Sequence, residues 1–291
     1  MKRFRSTLTA LASLTIAAST LVACGDSGGA GLMANIESGK VTLGTKYDQP
    51  GLGLRNSDGS MSGLDVDVAT YVVNSIAKDK GWKEPEITWR ETPSAQRETM
   101  LKNGEVDMIT ATYSINDGRA NAVNFGGPYL LTHQALLIRA DNNEVNSLKD
   151  LEKGKILCSV SGSTPAQKVK DALPGVQLQE YDTYSSCVEA LHQSKVDALT
   201  TDATILYGYA AQYGDEFEVV EMKKDDGEPF TNEHYGIGVA KDDQEATDAV
   251  NKALKAMYDD GSFDKFVQAN LGDDASVVTK GSPGDLSFLS K

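Results

Sequence analysis

Long apolar runs, positive charge and metal-type ligands are what this 291-residue chain is short of. No run reaches the roughly 18 residues needed to cross a bilayer without polar breaks, so the bulk of the chain is not expected to form a membrane bundle. Lys and Arg number 28 against 42 Asp and Glu, giving a formal charge of −14. Phosphate backbones call for a basic face, which argues against nucleic acid as a partner. Cys and His number three each, there is no CxxC, and His133, His192 and His234 are scattered at expected connections or on a helix, so no metal or other cofactor is expected. GxSxG, HExxH and Walker A patterns are missing too, and nothing in the residues points to an enzyme. What is present is ordinary globular composition, 40% hydrophobic and 24% charged, with length for one large or two medium domains.

Residues 1–23 read as an export leader. Lys2, Arg3 and Arg5 precede an apolar stretch, Leu8–Val22, that Ser and Thr interrupt. Leu21-Val22-Ala23-Cys24 resembles the lipobox of bacterial lipoproteins, in which Cys24 is lipidated and becomes the mature N-terminus; a plain signal peptide is the other reading. Two acyl chains would anchor the protein durably where one holds only marginally. Residues 24–34, rich in Gly and polar residues, are expected to form a flexible tether. Loss of the leader would leave the mature chain three charges below −14, at −17. The expected location is the cell membrane, lipid-anchored on its extracytoplasmic face. Beyond Cys24 only Cys158 and Cys187 remain. An even pair in an exported chain points to a disulfide, with two reduced core thiols or half of a metal site as alternatives.

Short apolar runs alternate with helical patterns, which predicts an α/β architecture. Strands are expected at 41–45, 87–89, 106–111, 155–160, 176–181 and 196–201. Helices are expected at 63–77, 95–103, 165–173, 185–194, 203–213, 245–258 and 262–270. The polar segment 273–291 is expected to fray as a C-terminal tail. One internal echo stands out. Residues 101–112, LKNGEVDMITAT, align without gaps on residues 191–202, LHQSKVDALTTD. Each reads as helix end, turn and strand, so two lobes on one plan are implied, with Thr112 and Asp202 in equivalent places at the carboxyl ends of their strands. Open α/β sheets bind ligands there.

Gly63-Leu64-Asp65-Val66-Asp67-Val68, with Val72, Val73 and Ile76, resembles the signature of the family 3 bacterial extracellular solute-binding proteins, amino-acid receptors of ABC importers. The stretch Ser114–Arg119 followed by Val123-Asn124-Phe125-Gly126-Gly127-Pro128-Tyr129 is similar to a second hallmark of that family. The opening Gly44-Thr45-Lys46-Tyr47-Asp48-Gln49-Pro50 is similar to that of glutamate-binding lipoproteins in particular. The resemblance covers roughly residues 38–272. It implies a two-lobed type II periplasmic-binding-protein-like fold, two mixed α/β sheets joined by a two-strand hinge. Lobe 1 would take 35–131 and 236–272, and lobe 2 would take 132–235, with crossovers at 129–134 and 232–236. It also implies capture of an acidic amino acid, glutamate or aspartate, by a monomer that hands it to the permease subunits and through them to the ATPase. Alternatives are a glutamine, asparagine or broader polar amino-acid receptor, a dehydratase-like enzyme on the same fold, or a sensor domain.

The site roles carried over match the chemistry of each residue. Arg119 offers a planar fork for an α-carboxylate, with Ser114 beside it. Ser163 and Thr164 lie at a helix start, Thr164 reading as N-cap with Pro165 at N1 and Gln167 at N3, where orphan N–H groups attract anions. Asp202 would take the ammonium, with Thr112 opposite, although it also stands where it could cap the following helix. Lys46 and Arg97, with Ser94, would pair a side-chain carboxylate, unless they are ordinary solvated charges. Tyr184 would add a hydroxyl, and Tyr47 would floor the pocket or join the core.

Overall fold

The computed structural model describes residues 31–142 and 144–290. The leader, Cys24 and most of the expected tether lie outside the described residues. The tether was expected to run to residue 34, but α1 (Gly31–Ser38) begins at residue 31, because Leu32 and Ile36, one turn apart, both bury. β1 (Lys40–Thr45) leads to three short strands, β2 (Asp48–Gln49), β3 (Gly53–Arg55) and β4 (Met61–Ser62). Then comes α2 (Leu64–Lys80), whose stripe from Val66 to Ile76 is buried, with Asp65 and Asp67 in its first turn and Lys78 and Lys80 in its last, as the helix dipole favours. β5 (Glu86–Glu91), α3 (Arg97–Lys102), β6 (Met108–Ile109), α4 (Asp117–Ala122) and β7 (Asn124–Thr132) follow.

The chain passes at His133 into a second sheet. It is made of β8 (Gln134–Arg139), β9 (Ile156–Val160), β10 (Gln177–Tyr181), β11 (Ala198–Asp202) and β12 (Phe217–Glu221), with α5 (Thr164–Ala172), α6 (Tyr184–His192) and α7 (Ala203–Tyr213) between them. It returns through β13 (Glu233–Val239) to α8 (Gln244–Asp259), α9 (Ser262–Leu271) and β14 (Thr279–Lys280). The first sheet has the order β14-β7-β13-β6-β1-β5 and the second β10-β9-β11-β8-β12, both mixing parallel and antiparallel pairs. Two mixed α/β lobes linked by two crossings are the type II binding-protein architecture.

The internal echo is reproduced bond for bond. Asp107 accepts from the Thr42 amide of β1 at 2.7 Å through Oδ2 and returns its own amide to the Thr42 carbonyl at 2.8 Å. Asp197 does the same to Ile156 of β9, at 2.8 Å in both directions. The turn before each clasp also matches, with Gly104 at φ 66° and Ser194 at φ 57°. Serine is strained in that left-handed conformation and glycine is not. Ser194 is exposed, so Ser194→Gly is expected to stabilise the chain by about 0.5–1 kcal/mol. Calorimetric unfolding should show the midpoint rising by roughly 2 °C; a fall would count against strain at this turn.

Cys158 of β9 and Cys187 of α6 form the disulfide, with Cα atoms 5.8 Å apart and a sequence separation of 29. A loop of that length is worth about 3–4 kcal/mol in the chain-entropy account. The C-terminal segment departs from expectation. Instead of fraying, it adds β14 to the edge of β7, packs Leu286 and Leu289 against the cluster around Tyr113 and Phe125, and stacks Phe288 on His234 at 3.8 Å. Three large apolar side chains in a polar stretch are enough to hold it down.

Candidate functional site

Between the lobes lies a tight cleft lined by Ser94, Arg97, Thr112, Ser114, Arg119, Ser163, Thr164, Pro165, Tyr184, Asp202 and Ile205. The free room there is only about 10 Å³, space for about one water, so the lobes stand nearly closed on each other. Nine of the eleven candidates meet there. Lys46 stands one bond behind the lining, its Nζ donating to Ser94 Oγ at 2.9 Å. Tyr47 does not line the space; its ring lies under the Arg55 guanidinium, 5.5 Å from the centroid.

Arg119 is carried on α4, whose N-cap Asn116 accepts from the Arg119 amide at 2.9 Å. Its guanidinium ties the lobes together. Nη1 donates to the Ser114 carbonyl at 2.7 Å and to Thr164 Oγ1 at 2.9 Å, and Nη2 donates to the Gly162 carbonyl at 2.9 Å. Nε pairs with Glu98 at 3.4 Å, and Glu98 also accepts from the Tyr113 hydroxyl at 2.9 Å. This arginine therefore has its counter-ion.

Arg97 and Lys46 have none. Both are buried, and among the described residues no carboxylate reaches ion-pair distance of either. Arg97 Nη1 donates to the Ala111 carbonyl at 2.9 Å, its guanidinium sits 4.1 Å from the Tyr113 ring centroid, and its Nε is left without a partner. Burial, reinforced by Arg119, lowers its pKa to about 10. Burial and then Arg97 bring the Lys46 ammonium down to about 7. Uncompensated charges in a dry site are costly, and this one holds two of the same sign.

Across the cleft, Asp202 is buried at the end of β11 and accepts from the Tyr235 hydroxyl at 2.6 Å through Oδ2, while Oδ1 has no partner among the described residues. Burial, then the neighbouring charge of Glu233, raises its pKa. It holds the N-cap position of α7 but makes no capping bond, so the helix-cap reading is set aside and the free oxygen is available to a ligand. Tyr184, also buried, has its phenol pushed up to about 12 by burial and then by Asp202.

The start of α5 lies one residue earlier than expected. Ser163, not Thr164, is the N-cap, accepting from the Ala166 amide at 3.1 Å, and Pro165 takes the second helical position. Gln167 bonds to Asp171 rather than closing a capping box. Because Ser163 performs the capping, the Thr164 hydroxyl is left for Arg119.

One participant was not assigned a role from the sequence. Asp65 is fully buried on α2 and accepts from the Thr112 amide at 2.7 Å and from the Tyr129 hydroxyl at 2.5 Å. Burial raises its pKa to about 6. It holds Thr112 at φ 45°, an unfavourable conformation for a β-branched residue. A carboxylate on the apolar stripe of an amphipathic helix was the available signal.

Residues 41–273 match the sequence profile of the bacterial extracellular solute-binding proteins, family 3. The chain is 70% identical to the glutamate-binding protein GluB of Corynebacterium efficiens, over 99% of this chain and 98% of that one. It is 34% identical to the ABC transporter glutamine-binding protein GlnH of Bacillus subtilis, over 87% and 93% of the two chains. Among solved structures, an ancestral arginine-binding protein bound to glutamine superposes with a TM-score of 0.70 at 31% identity, covering 80% of this chain and 98% of that one.

Proposed function

The chain belongs to the family 3 bacterial extracellular solute-binding proteins, and on that premise we propose that it captures an acidic amino acid, glutamate first, between its lobes and presents it to the permease of an ABC importer. The observation that carries this reading is the charge left over in the site. Arg119 is offset by Glu98, whereas, among the described residues, Arg97 and Lys46 have no carboxylate at ion-pair distance and Asp202 has no cation. An acidic amino acid brings a distal carboxylate for the Arg97–Lys46 pair and an ammonium for Asp202, while its α-carboxylate shares Arg119 with Glu98. Asp65 stands behind the two cations with both oxygens already bonded. In this reading Arg119, Ser114, Ser163 and Thr164 take the α-carboxylate, and Asp202 with Thr112 takes the ammonium. Arg97, Lys46 and Ser94 take the distal carboxylate, and Tyr184 adds its hydroxyl. The name and 70% identity of the Corynebacterium efficiens relative support the same ligand.

The glutamine named for more distant relatives fits less well, since a neutral amide would leave a desolvated cation unpaired. Ligand that touches both lobes favours the closed form, and the crossings at His133 and before β13 give the hinge. Cys24 would hold the monomer to the outer face of the membrane by lipid; release of the Cys24→Ser chain into the medium tests that anchor, and retention on the membrane rejects it. Calorimetry with glutamate, aspartate, glutamine and asparagine tests the ligand. Glutamate should bind most tightly and both acids better than their amides; equal affinity for acids and amides overturns the assignment.

A further inference from the structure

The three-stranded sheet of β2, β3 and β4 grows from the first lobe, yet its leading edge rests on the second. Asp48, at the start of β2, accepts from the Ser185 amide at 3.0 Å through Oδ2. Ser185 is the second residue of α6, a helix whose N-cap, Thr183, accepts from the next amide, that of Ser186. The first turn of a second-lobe helix is thus satisfied partly by its own lobe and partly by the other, and a carboxylate meets the positive end of the helix dipole. The Tyr209 hydroxyl of α7 donates to the Asp48 carbonyl at 2.6 Å. Next to these bonds the Pro50 carbonyl lies against Gly208 of α7, so close that a Cβ on Gly208 would stand 2.3 Å from the oxygen. Gly208 lies in the middle of a helix, where glycine costs about 1 kcal/mol relative to alanine, and its lack of a side chain is what lets the two lobes approach. None of Asp48, Pro50, Ser185, Gly208 and Tyr209 lines the central space.

We propose that Asp48 and Gly208 form an interlobe latch that keeps the cleft shut and sets how fast a captured ligand escapes. The proposal rests on the reading of the cleft as the ligand site. Bonds that exist only when the lobes meet stabilise the closed state alone, so they slow dissociation rather than improve the first encounter. Asp48 is two residues beyond Lys46, which places the latch on the same loop as a cation assigned to the ligand side chain.

Stopped-flow dissociation of L-glutamate from the full chain, with hydrogen exchange of the first turn of α6, tests the latch. Asp48→Ala should speed release about fivefold, the scale of a carboxylate at a helix N-terminus. Gly208→Ala should speed it about tenfold or more, because the closed approach is lost. In both variants the Ser185 amide should exchange faster. The thermal midpoint of Gly208→Ala should not fall, since alanine is the better helix residue; a merely structural role would lower it. Wild-type release rates in both variants, or faster release only alongside a lowered midpoint, overturn the proposal. If the unaltered chain binds no glutamate, the functional reading fails. The latch is then decided by exchange alone, faster in the variants supporting it and unchanged rejecting it.

Discussion

Arg119→Ala is expected to abolish amino-acid binding of every kind. The guanidinium is nearly out of solvent, bonds to carbonyl or hydroxyl groups of both lobes, and leans on Glu98 and the Tyr113 ring, 5.1 Å from its centroid. Removing it takes away the fork that would grip the α-carboxylate and leaves Glu98 without its cation. Truncating one partner of a buried, hydrogen-bonded charge pair between ligand and protein costs about 2–5 kcal/mol, which corresponds to a loss of roughly 30-fold to several thousand-fold in affinity. Arg119→Lys should not restore binding, because an ammonium on a flexible stem cannot reproduce the paired, planar donors. The loss should be the same for acids and amides, since all share the α-carboxylate. Calorimetry decides the matter, with circular dichroism to show that the variant folds. Affinity within tenfold of the unaltered chain would remove Arg119 from the site.

That the place of Arg119 at the cleft is legible in the sequence reflects how local its signals are. The α2 stripe, the strand-end positions of Thr112 and Asp202, and Arg119 in its motif are all set by neighbours within a turn or a strand. Three features depended on distant partners and were misread or missed. Whether Ser163 or Thr164 caps α5 turns on which hydroxyl Arg119 recruits from the other lobe. The C-terminal segment looks solvated by composition and is held by Leu286, Phe288 and Leu289 against surfaces assembled far earlier in the chain. Asp65 sits inside a motif quoted for family resemblance, but its work, holding Thr112 in a strained conformation, appears only once α2 and the β6 strand end are side by side. Tyr47 failed for the opposite reason. An aromatic residue next to a lysine expected in the pocket invites a pocket role, yet this ring faces Arg55 instead.

Above pH 7 the preference for acids over amides is expected to depend on pH through Lys46. In the proposed reading Asp202 and Arg119 meet the ammonium and α-carboxylate that both ligand classes share, so their contributions cancel when glutamate and glutamine affinities are divided. Arg97, with its pKa near 10, stays charged below that pH. Lys46 does not. Burial and Arg97 hold it near 7, while Asp48 and Glu91 pull upward and Arg119 downward. A carboxylate placed beside it would supply the missing counter-ion and raise that value. Below pH 7 Lys46 is already protonated and no longer changes the glutamate-to-glutamine affinity ratio; the next group to titrate there is Asp65, near 6 behind the two cations. Above pH 7 glutamate must bring a proton with it, so the ratio should fall, approaching tenfold per pH unit. Lys46→Arg should flatten the profile, since a guanidinium keeps its proton across the range. Arg97→Ala should reduce glutamate affinity by at least tenfold more than glutamine affinity, because only the acid loses a partner for its distal carboxylate. A ratio independent of pH in the unaltered chain, together with equal loss of both ligands in Arg97→Ala, would mean that the two buried cations serve the fold and that the distal group of the ligand is recognised elsewhere.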